Sequence, residues 1–255
     1  MKNIAIVTGA SSGIGRSIID LIHDSYDEIW AVARRRERLD EIAGKYPGKI
    51  RALTADLSKP GYQEELEKHL KDSLSDGSKL MLLVNSAGIG YRRDLADMEP
   101  EQIDSMIEVD VKALTLLTRT VLPYMGEGSG IINIASSAGY LPQPGFAVYS
   151  AAKAYVINFS RALRTELKSR KITVTCVCPG PVDTEFNGIA TGIPEITGWR
   201  RNFTCTPESV AKGAVKAFRH KRGLYDHKLP QKFLHVVSKT VPVGIILKVY
   251  GGVEK

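Results

Sequence analysis

IAIVTGASSGIG, residues 4 to 15, joins a short apolar run to a loop carrying glycines at positions 9, 13 and 15. The run has the near-continuous hydrophobicity of a strand buried on both faces, and the residues from Gly13 onward read as the start of a helix. At such a junction, small residues let the chain turn tightly. They also let backbone amides approach a pyrophosphate at the positive end of the helix. Gly9, Ser11, Ser12, Gly13, Ile14 and Gly15 are therefore candidate phosphate-binding residues. A small-residue turn can also serve packing alone, so its meaning depends on the rest of the chain.

Beyond residue 24 the strand and helix alternation repeats. Apolar runs rich in β-branched residues recur at 29–33, 50–55, 80–85, 130–135 and 172–178. Helix-length segments lie between the runs, at about 13–24, 35–44, 60–75, 100–125 and 148–170. Alternation of this kind implies right-handed crossovers and a doubly wound parallel α/β sheet with helices on both faces. We count six strands and one weak candidate, GLYDH at 223–227. Residues 1–255 read as a single domain, without a repeat or linker to divide them.

Two regions depart from the rhythm. Residues 183–206 are rich in Gly and Thr and too long for a tight connection, which suggests a loop or lid over a site. The tail at about 228–252 is apolar but interrupted by Lys239, Pro242 and Lys248. It reads first as packing surface, then as substrate wall or weak membrane-surface contact.

The composition narrows the class. The net charge of +7 is dispersed except for RRRER at 34–38, which argues against nucleic acid. The sequence holds no uninterrupted apolar stretch of the roughly 18 to 20 residues that a membrane span needs, and it opens directly on a strand pattern, so a cytoplasmic location is expected. The three cysteines, Cys176, Cys178 and Cys205, are an odd number. Cys176 and Cys178 are expected on opposite faces of a buried strand, so we expect reduced thiols and neither a disulfide framework nor a metal site.

YSAAK, residues 149–153, places a tyrosine and a lysine one helical turn apart on the same face. A phenol near pKa 10 is a poor proton donor or base at neutral pH until its anion is stabilised, and an ammonium one turn along supplies that charge.

Taken together, these motifs resemble the short-chain dehydrogenase/reductase family. The glycine spacing is the family's TGxxxGIG, and further landmarks come in order: Asp56, NSAG at 85–88, NIASSAG at 133–139, YSAAK, and PGPVDT at 179–184. The resemblance implies a sheet of about seven strands and interconversion of a carbonyl and an alcohol with a nicotinamide cofactor. It also implies Tyr149 as general acid/base, Lys153 as its tuner and a ribose ligand, and Ser136, thirteen residues before the tyrosine, as holder of the substrate oxygen. Ser137 would support the turn. Asp56 and Leu57 would flank the adenine, Asn85, Ala87 and Gly88 would line the cofactor, and Pro179, Gly180, Val182 and Thr184 would sit at the nicotinamide.

Family members that use NAD end their second strand in an acid that bonds the ribose hydroxyls. Here Ala33 stands at that place and Arg34 and Arg35 come next, so NADP(H) is the preferred cofactor and NAD(H) the less expected one. One landmark departs from the family. Asp110 replaces an asparagine that helps a water connect the lysine to solvent, and its charge would favour a protonated Lys153. That departure is the only sequence support for an alternative, a non-catalytic NADPH-binding regulatory or scaffold protein. The related epimerases and dehydratases also use YxxxK, but with a TGxxGxxG loop and a longer substrate domain, and both are missing. The expected partners are a small-molecule carbonyl or alcohol substrate and a second copy of the chain, in a homodimer or homotetramer built on the helices at 100–125 and 148–170.

Overall fold

The computed structural model describes residues 1–74, 77–191 and 204–253. Seven strands form one sheet: β1 (Asn3–Thr8), β2 (Glu28–Ala33), β3 (Ile50–Thr54), β4 (Lys79–Asn85), β5 (Met125–Ile134), β6 (Thr173–Cys178) and β7 (Leu224–Asp226). Their order is β3-β2-β1-β4-β5-β6-β7, and every pairing is parallel. The weak GLYDH candidate is the seventh strand. Because β4 returns to the opposite side of β1 from β2, the order reverses there. In sheets of this type a crevice opens outside the strand ends at that switch point.

The alternation of side chains along β1 explains the two-layer core. Ala5 and Val7 face one layer, with Ile18, Ile19 and Ile22 of α1 (Gly13–Ile22), Leu39 and Ile42 of α2 (Arg36–Lys45), and Val210 and Ala214 of α8 (Pro207–Arg219). Ile4 and Ile6 face the other, with Leu66 and Leu70 of α3 (Tyr62–Leu74), Leu117 and Val121 of α5 (Leu114–Val121), and Leu163 of α6 (Ala147–Glu166). Burial of apolar side chains on both faces of a parallel sheet is the main stabilising contribution to such a fold.

Several segments differ from the reading of the sequence. The helical stretch beginning at residue 100 is built of α4 (Pro100–Ile107), a π-helical turn over Glu108–Ala113, and α5, and it ends before Pro123 rather than at 125. Helix α8 is an addition, although Thr206 caps it by accepting from Ser209 N at 3.2 Å and Pro207 opens its first turn. Cys176 and Cys178 share a face instead of opposing one another, because residues two apart on a strand must. Their sulfurs lie 3.9 Å apart as free thiols, and Cys205 is also free and buried.

The expected loop at 183–206 contains α7 (Glu185–Thr191), and a parallel bridge between Val182 and Cys205 ties its ends together. Its residues 192–203 lie outside the described residues. The tail forms α9 (Leu229–Thr240) and α10 (Val243–Val253), separated at Pro242. Leu229, Phe233, Val236, Val243 and Ile245 stand exposed on these helices, so among the described residues the tail does not bury its apolar face as packing surface.

Candidate active site

A cleft of ≈ 640 Å³ lies at the carboxyl ends of the strands, at the switch between β1 and β4. In the turn after β1, Gly9 and Gly13 adopt φ of 64° and 56°, a region that side chains rarely enter. A Cβ on Gly9 would stand 2.7 Å from the Ser86 carbonyl oxygen, so the turns after β1 and β4 touch here. Thr8 fixes that contact: its hydroxyl accepts from Ser86 N at 3.0 Å and Ala87 N at 3.1 Å and donates to Val84 O. The Ser12 side chain does not cap α1, and no acid occupies that helix's first turn. Its leading N–H groups and positive end therefore suit an anion at the cleft, which fits a pyrophosphate.

Beyond β2 and β3, Ala33, Arg34, Arg35, Asp56 and Leu57 line the cleft. Arg35 reaches back over the glycine turn: Nε and Nη2 donate to Ser11 Oγ at 3.3 and 3.0 Å, and Nη2 donates to Ser12 Oγ at 2.9 Å. Partial burial pushes the Asp56 carboxyl up, but bonds from the Ser58 hydroxyl and amide and the charge of Arg34 outweigh it, leaving a net shift below the ordinary range.

Along another wall, α6 carries Tyr149 and Lys153 one turn apart, both buried, with Lys153 Nζ 5.4 Å from the centre of the Tyr149 ring. Phe146 stacks on Tyr149 with ring centres 4.2 Å apart, and Phe186 of α7 lies 5.5 Å away. Ser136, at the end of β5, lines the same wall, its hydroxyl accepting from Ala138 N at 3.1 Å. Behind them the π-helical turn brings Asp110 to Lys153, with Oδ2 3.2 Å from Nζ in an ion pair, while Oδ1 accepts from Ile89 N at 2.9 Å. Burial alone would lower the Lys153 ammonium, but Asp110 and Tyr149 hold it above its ordinary value. Burial raises the Asp110 carboxyl, and Lys153 and the Ile89 amide oppose this only in part.

A model of the short chain dehydrogenase family matches residues 3–191. The chain belongs to this family. It is 35% identical over 258 aligned residues to the very-long-chain 3-oxoacyl-CoA reductase of Anas platyrhynchos, covering 95% of this chain and 77% of that protein. Among solved structures, it resembles a short-chain dehydrogenase from Sphingobium yanoikuyae in complex with NADPH. The TM-score is 0.75 at 27% identity, over 89% of this chain and 88% of that one. It also resembles a 3-ketoacyl-(acyl-carrier-protein) reductase from Brucella melitensis complexed with NADH. There the TM-score is 0.76 at 26% identity, over 88% of this chain and 96% of that one. The short-chain dehydrogenase is thus an oxidoreductase by family.

Most residues picked from the sequence of this dehydrogenase meet in the one cleft: Gly9, Ser11, Ser12, Gly13, Ile14, Arg34, Arg35, Asp56, Leu57, Ala87, Gly88, Ser136, Tyr149, Lys153, Pro179, Gly180, Val182 and Thr184. Three stand behind the wall. Gly15 packs against the Gly9 carbonyl, where a Cβ would stand 2.4 Å from the oxygen. Asn85, expected at the cofactor, instead has a buried amide that donates to Thr118 Oγ1 and Asn133 Oδ1 at 3.1 and 2.9 Å. Asp110 meets the cleft through Lys153 and the backbone of Ile89. Ser137, expected only to support the turn, lines the cleft beside Ser136 and also donates its backbone N–H to Pro179 O at 2.8 Å.

The apolar side of the cleft holds residues that the sequence reading did not single out, although it offered the tail as a substrate wall in second place. Pro230, Gln231, Phe233 and Leu234 of α9 join Phe146, Phe186 and Gln143 in the wall. A half-buried cluster holds α9 in place: the Tyr140 hydroxyl donates to Asp226 Oδ1, and the Tyr140 ring stacks on His235 at 4.5 Å. Arg161 only donates, so at 3.1 Å from His235 Nε2 it makes that nitrogen an acceptor and leaves Nδ1 to donate to Asp226 Oδ2, also at 3.1 Å.

Proposed function

We propose that this protein is an NADP(H)-dependent oxidoreductase interconverting a carbonyl and an alcohol on a small or lipophilic organic substrate. The observation that carries the reading is Tyr149 beside a buried Lys153 in the wall that also holds Ser136. In the reducing direction, the Ser136 hydroxyl holds the substrate oxygen and the Tyr149 hydroxyl gives it a proton. Lys153 stabilises the phenolate left behind, which regains its proton from solvent. The nicotinamide cofactor supplies the hydride for reduction of the substrate carbon and accepts it in the reverse direction. Asp110 supports the scheme by keeping Lys153 charged.

The phosphorylated cofactor is preferred because β2 ends in Ala33 without an acid, and Arg34 and Arg35 line the cleft beyond it. The similar structures with NADPH and with NADH support a nicotinamide dinucleotide without choosing between the two. We also propose a cytoplasmic homodimer or homotetramer. Exposed Ile107 on α4 and Tyr155 on α6 support an assembly through those helices.

The reading is tested by titrating the protein with NADPH and NADH, then following a panel of carbonyl substrates at the cofactor absorbance, with Tyr149→Phe in parallel. Tighter binding of NADPH, and turnover that falls at least about a hundredfold in the variant, is the expected result. Equal NADPH binding by both proteins with no turnover on any substrate would favour the non-catalytic alternative.

A further inference from the structure

We propose that Glu185 is a built-in rival of the cofactor's 2′-phosphate: its carboxylate holds the guanidinium groups of Arg35 and Arg38 and thereby sets the discrimination between phosphorylated and unphosphorylated dinucleotides. The proposal rests on the NADP(H) reading above. Arg35 Nη1 lies 2.6 Å from Glu185 Oε2, and Arg38 Nη1 lies 2.6 Å from Oε1, so one carboxylate bridges both side chains. Nε and Nη2 of Arg35 are already committed to Ser11 and Ser12. Nη1 is the edge that remains, and Glu185 is on it.

Carboxylate and phosphate make the same paired hydrogen bonds to a guanidinium, so the two anions compete for one donor edge. Bonds from Arg35 and then Arg38 hold the Glu185 carboxyl below its ordinary range, so it is ionised throughout the neutral range. A 2′-phosphate arriving at Arg35 must displace a charged neighbour or sit beside it. A 2′-hydroxyl carries no charge and leaves the bridge intact. Glu185 and the two arginines are all partly exposed, which limits the rivalry to a modest factor that salt screens.

Isothermal calorimetry tests this with four probes, NADPH, NADH, 2′,5′-ADP and 5′-AMP, on the wild type and on Glu185→Gln. The variant is expected to bind NADPH and 2′,5′-ADP roughly three- to tenfold more tightly, with NADH and 5′-AMP within about twofold and the gain shrinking as salt rises. Unchanged NADPH affinity would overturn the proposal. So would parallel weakening of both dinucleotides, which would make Glu185 a strap that holds cofactor in. The double variant Arg34→Ala/Arg35→Ala separates the two possible failures. If it keeps the wild-type ratio of NADPH to NADH affinity, the NADP(H) reading falls and the rivalry with it; if the ratio collapses while Glu185→Gln gains nothing, the rivalry alone falls.

Discussion

Lys153 is buried, and burial by itself would push its ammonium toward neutrality; Asp110, 3.2 Å away, reverses that. A lysine with a raised pKa stays charged to higher pH, so under the proposed scheme the alkaline limb of the rate should lie above the position an ordinary lysine of pKa about 10.4 would give. In Asp110→Asn the burial effect is no longer opposed by that carboxylate. We predict that this limb moves to lower pH in the profile of kcat/KM, whereas a purely structural loss would lower the rate equally at every pH. Gly9→Ala meets both a φ of 64° and a backbone oxygen 2.7 Å from the added carbon. It should cost on the order of 1–3 kcal/mol, read as a lower midpoint of thermal unfolding, and should weaken dinucleotide binding. Tyr149 and Lys153 are legible in the sequence because their relation is local, one helical turn. Glu185 is not, since it meets Arg35 across 150 positions of chain. The choice between Ser136 and Ser137 is only half legible, because both line the cleft.

At the scale of elements, apolar runs reveal the sheet because strands buried on both faces carry their signal continuously. Even the three-residue β7 leaves a trace. Helix α8 is missed despite its Thr-Pro start, and the expectation of opposite faces for the two strand cysteines fails because period two puts them together. The role of α9 is hidden for another reason. Its seat depends on Tyr140, Arg161 and Asp226, contributed by three other parts of the chain. Tyr140→Phe removes the bond to Asp226 and should loosen this helix. We expect faster amide hydrogen exchange across residues 229–240 and a raised KM, with NADPH affinity unchanged. Equal exchange in wild type and variant would show that packing alone seats the helix.

The cleft has two halves of different character, which the proposed function assigns to cofactor and to substrate. The glycine turn, the arginines and the strand ends form the polar half; Phe146, Phe186, Phe233 and Leu234 form much of the other. Among the described residues, no helix is long and apolar enough to cross a membrane. For the proposed assembly, sedimentation velocity should give a mass of two or four chains, and Ile107→Glu with Tyr155→Glu should shift it toward one. The family match ends at residue 191, whereas α9, which closes the apolar side of the cleft, begins at Leu229. Under the proposed function, the share of the substrate wall that α9 contributes is therefore written apart from the stretch that carries Tyr149, Lys153, Phe146 and Phe186. Mutation could revise that share while the rest is inherited intact, and a graft of residues 229–253 from a relative should carry over part of its donor's choice of substrate.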